Sequence, residues 1–367
     1  MKIILTGGGT AGHVNPALAI GELFRQNMPR CEITFVGTPD GMERRLAKEA
    51  GYPYVPIEAS GFRRTLSLHD AKALILAITS PRKAKRFLRE YAPDIVIGTG
   101  GYVCWPMLSA AASLGIPTAI HESNAIPGLT VRRLAARVDL VLLNFEEAAN
   151  HLPHFKKIVR VGNPLRSGFS RIDRAEARMR LGIPKEIRLA VSFGGSLGAE
   201  AINHAMLSYF SERVPSETER FYIHGTGTRY FGDFKRKIEE TIGTIHSHLH
   251  YSAYLTEMPL LMAAADLLIC RAGAMTISEA ARARRATILI PSPHVAEDHQ
   301  TKNAEALAAA GAAILIKENE LSPQRLRDAI DSILDDAKKQ ERMEDAISRF
   351  DLPNANKKTY EALRALI

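Results

Sequence analysis

Cysteine is scarce in this 367-residue chain: Cys31, Cys104 and Cys270 stand far apart, in no spacing that suits a metal or a redox pair. A disulfide framework is thereby excluded, and the usage fits a reducing cytoplasm. Long apolar runs are missing too; no stretch approaches the ~20 residues that span a bilayer. Met1-Lys2 leads into only a few apolar residues before a glycine loop, so the N-terminus reads as a first strand and not as a signal peptide. Tryptophan occurs once, as Trp105. Zinc-finger, helix-turn-helix and aromatic–basic RNA-binding patterns are absent, and low-complexity segments are too.

What is present is basic and globular. Net charge is +8, with 46% hydrophobic and 24% charged residues, a soluble composition suited to an anionic membrane or an anionic substrate more than to nucleic acid. The length points to two domains. Apolar strand-like runs alternate with helical patterns along the whole chain. In the first half the strands are Lys2–Thr6, Ile33–Val36, Tyr54–Ile57, Ile95–Gly98, Thr118–His121 and Leu140–Leu143; in the second, Leu189–Phe193, Phe221–His224, Leu267–Cys270, Thr287–Ile290 and Ala313–Ile316. Helices are expected over Pro16–Arg25, Met42–Ala50 and Ala304–Ala310, among others. Such alternation predicts an α/β protein of two doubly wound parallel sheets with both faces covered. The join falls at Gly162-Asn163-Pro164, and a last amphipathic helix after about residue 351 packs back on the first half. The expected domains are 1–163 with 351–367, and 164–350.

Three glycine-rich loops follow strands and open helices: Gly7–His13, Gly98–Tyr102 and Gly194–Ala199. Glycine lets the backbone turn sharply and approach a ligand, and a helix start offers N–H groups and partial positive charge to a phosphate. Gly7, Gly9 and Gly12 formally match the dinucleotide fingerprint, but the acidic residue that should end the second strand is missing; Asp40, behind Pro39, is a poor substitute. The first loop is therefore read as a phosphate loop, with Thr10, Gly12 and His13 facing a cleft between the domains.

Six motifs then occur in order: Gly-Gly-Thr-Ala-Gly-His-Val-x-Pro at 8–16, Gly-Thr-Gly-Gly-Tyr-Val at 98–103, His-Glu-Ser-Asn at 121–124, Gly-Asn-Pro-Leu-Arg at 162–166, Gly-Gly-Ser-Leu-Gly-Ala at 194–199 and Arg-Ala-Gly-Ala-Met-Thr-Ile-Ser-Glu at 271–279. Together with His299-Gln300 and Asn303, the set resembles the MurG family of peptidoglycan glycosyltransferases with the GT-B fold, and the resemblance runs nearly end to end. It implies inverting transfer of N-acetylglucosamine from UDP-N-acetylglucosamine to the 4-hydroxyl of lipid I, giving lipid II. The N-terminal domain would face the lipid-linked acceptor and the C-terminal domain would hold the sugar nucleotide.

The resemblance also implies roles for particular residues. Glu279 would accept hydrogen bonds from the uridine ribose, and backbone groups at Leu255, just after a strand-like Tyr251–Tyr254, would read uracil. His299, Gln300, Asn303 and Asn124 would contact the donor sugar. No Asp-x-Asp occurs to hold a divalent metal, so no metal or other cofactor is expected. Fixed donors must then stabilise the leaving diphosphate: Arg166 with its planar fork, Ser196 and its loop, the N–H groups of Gly273–Thr276 (Ala274, Met275 and Thr276 among them), and the first loop at Thr10, Ala11 and Gly12. His13 is one candidate general base, or else a hydrogen-bonding partner of the acceptor diphosphate; Glu122 is another candidate, or only a brace for its loop. Gly98, Gly100, Gly101 and Tyr102 would seat the acceptor diphosphate.

Between Gly61 and Glu90, the basic residues Lys72, Arg82, Lys83 and Arg86 run beside Leu74, Ile75, Ile78, Phe87 and Leu88. Such a mixture suits a peripheral position on the anionic inner face of the cell membrane. Five positions depart from the family pattern and bear on the acceptor: Cys104-Trp105, Val131, Leu197 and Ala272. The rivals are another GT-B transferase, a nucleotide-sugar epimerase of related fold, and a membrane-bound nucleotide sensor without turnover; an oxidoreductase is the weakest.

Overall fold

Ile3, Ile4 and Leu5 are all fully buried, although neighbours in a strand point to opposite faces. A strand covered on both sides needs apolar residues at every position, which is the mark of a parallel sheet sandwiched by helices. The computed structural model describes residues 1–60, 68–195, 197–243, 247–295 and 298–367, with backbone alone from 68 to 74. It divides the chain into two units, Met1–Ser167 with Leu352–Ile367, and Gly168–Asp351. The division after Ser167 lies beyond the Gly162-Asn163-Pro164 turn.

The first unit carries strands β1 (Lys2–Thr6), β2 (Glu32–Gly37), β3 (Tyr54–Pro56), β4 (Ile95–Gly98), β5 (Thr118–Glu122), β6 (Leu140–Leu143) and β7 (Ile158–Arg160). Between them run helices α1 (Ala11–Asn27), α2 (Met42–Glu49), α3 (Leu68–Tyr91), α4 (Cys104–Ser113) and α5 (Leu129–Leu134). The sheet is parallel, in the order β3-β2-β1-β4-β5-β6-β7.

The second unit carries β8 (Arg188–Phe193), β9 (Arg220–Gly225), β10 (Leu249–Ser252), β11 (Leu267–Cys270), β12 (Ala286–Leu289) and β13 (Ile314–Leu315). Its helices are α6 (Arg174–Leu181), α7 (Glu200–Arg213), α8 (Phe231–Ile242), α9 (Met258–Ala264), α10 (Ala274–Ala283), α11 (His299–Ala309), α12 (Pro323–Leu334) and α13 (Ala337–Ser348). This sheet is also parallel, in the order β10-β9-β8-β11-β12-β13. Both units are Rossmann-like, as the strand–helix alternation leads one to expect.

A last helix, α14 (Ala355–Arg364), returns to the first unit. Its Tyr360 meets Phe24 of α1 edge-to-face at 5.4 Å. Asn356 closes a reciprocal clamp on Leu165, accepting from its N–H at 2.9 Å and donating to its carbonyl at 2.8 Å.

Three of the element boundaries that differ from expectation bear on the loops. α1 begins at Ala11 and not at Pro16, because His13 and Val14 donate to the Thr10 carbonyl and close the first turn inside the glycine loop. α11 begins at His299, which places Gln300 and Asn303 in its first turns. β10 ends at Ser252, two residues short of the expected Tyr254, so Leu255 belongs to the loop that follows.

Candidate active site

In each sheet the strand order reverses at one place, and ligands of doubly wound folds bind outside the carboxyl ends of the strands there. In the first unit that place lies between β1 and β4, from which the first and second glycine loops emerge. The two loops are built into each other. Gly8 N–H donates to the Gly100 carbonyl at 3.3 Å, and Thr99 Oγ1 donates to the His13 carbonyl at 2.6 Å. A Cβ on Gly7 would lie 2.2 Å from Thr99 Oγ1. Gly9, Thr10 and Gly12 are exposed at the tip. Pro16, inside α1, removes the helical donor that would otherwise occupy the Gly12 carbonyl.

His13 is half-buried at this junction. Its Nδ1 lies 3.0 Å from the Gly8 carbonyl and 3.3 Å from Thr10 Oγ1. A carbonyl can only accept, so Nδ1 carries the proton, and in the neutral ring the basic lone pair is on Nε2. That edge of the ring faces the second loop: a Cβ on Gly100 would stand 2.5 Å from His13 Cδ2 and 3.0 Å from Nε2.

Glu122, at the end of β5, is buried. Its Oε1 accepts from the N–H and side-chain amide of Asn124 at 2.9 and 3.0 Å, and its Oε2 accepts from Gly128 N–H at 3.0 Å. Burial raises its pKa, and these hydrogen bonds oppose the rise. Both oxygens thus hold the 123–128 turn, as the bracing alternative requires.

Two departures from the family pattern turn out to be packing residues. Cys104 is fully buried, donating its thiol to the carbonyls of Gly100 at 3.1 Å and Thr6 at 3.3 Å; burial pushes the thiol up to about 12. Trp105 donates from Nε1 to the Ala77 carbonyl of α3 at 3.1 Å, and the Arg137 guanidinium lies 5.0 Å from its ring centre. Val131 is buried too. These side chains secure the elements beneath the loops.

One residue of this site was missed in the sequence. Glu43, on the first turn of α2, is fully buried and holds Thr38 and Gly9. An acidic residue two positions after Gly41, just past a strand end, is the only sequence signal for it.

In the second unit the strand order reverses between β8 and β11. The third loop follows β8. Gly195 and Gly198 have φ of +91° and +85°, and a Cβ on Gly198 would stand 2.1 Å from the Thr226 carbonyl. Leu197 is 61% exposed at the tip, whereas Ala272, another departure, is fully buried. Ser196 lies outside the described residues.

Below the loop runs a buried polar chain that the sequence did not announce. Asn203 donates from Nδ2 to the Thr226 carbonyl at 2.9 Å. Its Oδ1 therefore accepts from His224 Nε2 at 3.1 Å, and His224 Nδ1 accepts from Ser192 Oγ at 2.8 Å. Burial lowers the His224 pKa to about 3, so the ring is neutral and this tautomer is set by its neighbours.

α10 opens at Ala274 without a side-chain cap. Ala274 and Met275 are buried, so their side chains face the core and only their N–H groups can meet a ligand; Thr276 and Glu279 are half-buried. Glu279 lies near enough to Cys270 to add to the burial that raises that thiol's pKa. Gln300 accepts from Ser292 N–H at 2.9 Å, and half-buried His299 precedes it. Asn303 is fully buried and reaches the Ala272 carbonyl at 3.4 Å. Through that bond it braces the 271–273 turn. Leu255 is buried as well, beside a cavity of about 300 Å³ lined by Ile183, Ile223, Ser252, Tyr254 and Leu261 among others. Arg166, in the first unit, is exposed.

On α3, Ile75 and Ile78 are 60% and 57% exposed, and Arg82, Lys83 and Arg86 are exposed beside them. Leu88 is fully buried and Phe87 half-buried against Tyr91 at 5.4 Å, so these two leave the expected surface patch for the core. The side chains of Lys72 and Leu74 lie outside the described residues. Among the described residues no helix is long and apolar enough to cross a membrane, and no group of three or more His, Cys, Asp or Glu is placed to hold a metal ion.

Two Rossmann-like units, each with a glycine loop at its strand reversal, define a two-domain nucleotide-binding class of fold. The chain belongs to glycosyltransferase family 28: the N-terminal domain of that family matches residues 3–143 and its C-terminal domain matches 190–359. A relative from Acetivibrio thermocellus, 39% identical over all of this chain and 98% of its own, is named UDP-N-acetylglucosamine–N-acetylmuramyl-(pentapeptide) pyrophosphoryl-undecaprenol N-acetylglucosamine transferase. The crystal structure of Acinetobacter baumannii MurG superposes with a TM-score of 0.77 at 28% identity, over 99% of each chain. The UDP-GlcNAc 2-epimerase of Neisseria meningitidis shares the fold, with a TM-score of 0.66 at 15% identity over the full length of both.

Proposed function

We propose that this chain transfers N-acetylglucosamine from UDP-N-acetylglucosamine to the 4-hydroxyl of lipid I, with inversion, and so makes lipid II for peptidoglycan. The observation that carries the reading is the full-length relationship to transferases of that name, joined to glycine loops at both strand reversals. The fold alone would serve an epimerase equally well.

In this reading the acceptor oxygen attacks C1 of the donor sugar as the bond from C1 to the diphosphate breaks, and UDP leaves with the electron pair. His13 Nε2 takes the hydroxyl proton. The Nδ1–H bond to Gly8 supports this role, because it leaves the basic nitrogen on the edge that faces Gly100. The N–H groups of the second loop seat the acceptor diphosphate, with Tyr102 beside them. Glu279 takes the ribose, the backbone at Leu255 takes uracil, and Asn124, His299 and Gln300 address the sugar. The departing charge meets Arg166, Thr10–Gly12, the third loop with Ser196, and the N–H groups that open α10. No metal is required in this scheme. Ile75 and Ile78, with Arg82, Lys83 and Arg86, hold the first unit at the anionic inner face of the cell membrane, from the cytoplasmic side.

The test is UDP release from UDP-N-acetylglucosamine in chelator, with and without a short-chain lipid I analogue. Release that needs the acceptor, with a disaccharide product by mass, is the expected result. A new hexosamine formed from donor alone would mean an epimerase, and donor binding without turnover would mean a sensor.

A further inference from the structure

Glu43 is a fully buried carboxylate that no role above employs. Its Oε1 accepts from the N–H of Thr38 at 3.0 Å and from the Thr38 hydroxyl at 2.6 Å. Its Oε2 accepts from Gly9 N–H at 3.4 Å. Among the described residues it forms no ion pair; its polar contacts there are these donors. They come from two separate segments, the end of the second strand and the tip of the first glycine loop.

The surroundings are shaped to the carboxylate. A Cβ on Gly8, Gly37 or Gly41 would lie 2.7, 2.5 or 2.2 Å from an atom of the Glu43 side chain. Three glycines in three different segments thus open the space it fills. On the far side of Gly9 stands Tyr102: a Cβ on Gly9 would meet its ring at 3.4 Å. Burial, with the Glu43 charge behind it, raises the Tyr102 pKa. Tyr54 closes the group by donating to the Thr38 carbonyl at 2.6 Å. Gly9, with a left-handed φ of +84°, is therefore gripped between an acceptor and an aromatic ring. Gly8, its neighbour, supplies the carbonyl that sets the His13 tautomer.

We propose that Glu43 is a positioning residue for the first glycine loop, holding Gly8 and Gly9 so that His13 keeps its proton on Nδ1 and presents Nε2 toward the second loop. The kinetic consequence rests on the transferase reading; the effect on the His13 ring does not. A carboxylate is acceptor-only, and all three of its partners here are donors. Glutamine has the same shape but must turn an amide N–H₂ toward one of them, so Glu43→Gln breaks the grip with little change in volume.

Two measurements on the full-length protein test this. The first is the long-range ¹H–¹⁵N spectrum of the histidine rings, with His13 assigned by its loss in His13→Asn. The wild type should show an Nδ1–H ring at His13, and Glu43→Gln should move it toward the Nε2–H form. The second is steady-state transfer, in which Glu43→Gln should lower kcat by about 10- to 100-fold, with the KM for UDP-N-acetylglucosamine within about twofold. Thr38→Val, which removes one donor and no charge, should change both readouts in the same direction and by less. An unchanged His13 ring and an unchanged kcat in Glu43→Gln would overturn the proposal. So would a lowered melting temperature with kcat and ring unchanged, since that is a purely structural residue. Should the wild type fail to transfer while Glu43→Gln still alters the ring, the transferase reading falls and the role of Glu43 stands.

Discussion

Gly101 lies so close over Gly8 that a Cβ on Gly101 would stand 2.1 Å from the Gly8 carbonyl oxygen. Gly101 also has a left-handed φ of +85°. Gly101→Ala would meet both the backbone penalty, about 1–2 kcal/mol, and a collision with main chain that no rotamer relieves. Thermal unfolding should fall by at least about 2–4 °C for each kcal/mol lost, and transfer activity should fall with it because the two loops part. Wild-type melting and activity in this variant would contradict the interlocked loops.

His13→Ala should lower kcat by about 10²–10⁴-fold, the usual yield of a positioned acid or base. The donor KM should change by less than about threefold, because His13 is not among the donor's binding groups. Steady-state kinetics with varied donor decides this, and undiminished turnover would remove His13 from the mechanism.

His121 and His224 are fully buried, and burial lowers their pKa values to about 4 and about 3. An unfolded histidine titrates near 6.5, so below that pH the unfolded chain binds protons that the folded chain refuses. Stability should therefore fall as pH drops from about 6.5 toward 4, by up to about 1.4 kcal/mol per pH unit for each histidine. Denaturant melts across this range should show the slope. In His224→Gln the slope should be shallower, and an equal slope would place the acid sensitivity elsewhere.

The exposed pair Ile75 and Ile78 gives the membrane reading its sharpest handle. Ile75→Glu with Ile78→Glu should weaken binding to anionic vesicles by at least about tenfold, as two lost aliphatic insertions require. Activity on a short-chain, water-soluble acceptor should be retained. Vesicle flotation measures the first effect; equal binding by the double variant, or binding indifferent to anionic lipid, would count against the patch.

Much of this architecture could be read from local pattern. Runs such as Ile95-Val96-Ile97 and Leu267–Cys270 are apolar at every position because each strand is covered on both faces, and their bounds came out as expected. Helix starts were less legible. α1 and α11 open several residues earlier than their apolar periodicity begins, since first turns are fixed by backbone hydrogen bonds and carry little apolar signal. Phe87 and Leu88 belong to the same basic–apolar stretch as Ile75 and Ile78, and only packing separates the half-buried Phe87 and buried Leu88 from the exposed isoleucines.

The order of strands and helices, the three glycine loops and the family motifs are properties of neighbouring residues, and the amino-acid sequence determined them by itself. Which polar groups meet across the fold is a different matter. Glu43 reaches Gly9 over 34 positions and His224 reaches Ser192 over 32, and no periodicity encodes either contact. Glu122 and Asn303 sit in site motifs and Cys104 just after one; the tertiary structure buries all three and gives them hydrogen bonds to the loops around them. Strand order brings distant segments together at the two reversals, and burial there decides which side chains hold the loops and which remain to meet a ligand.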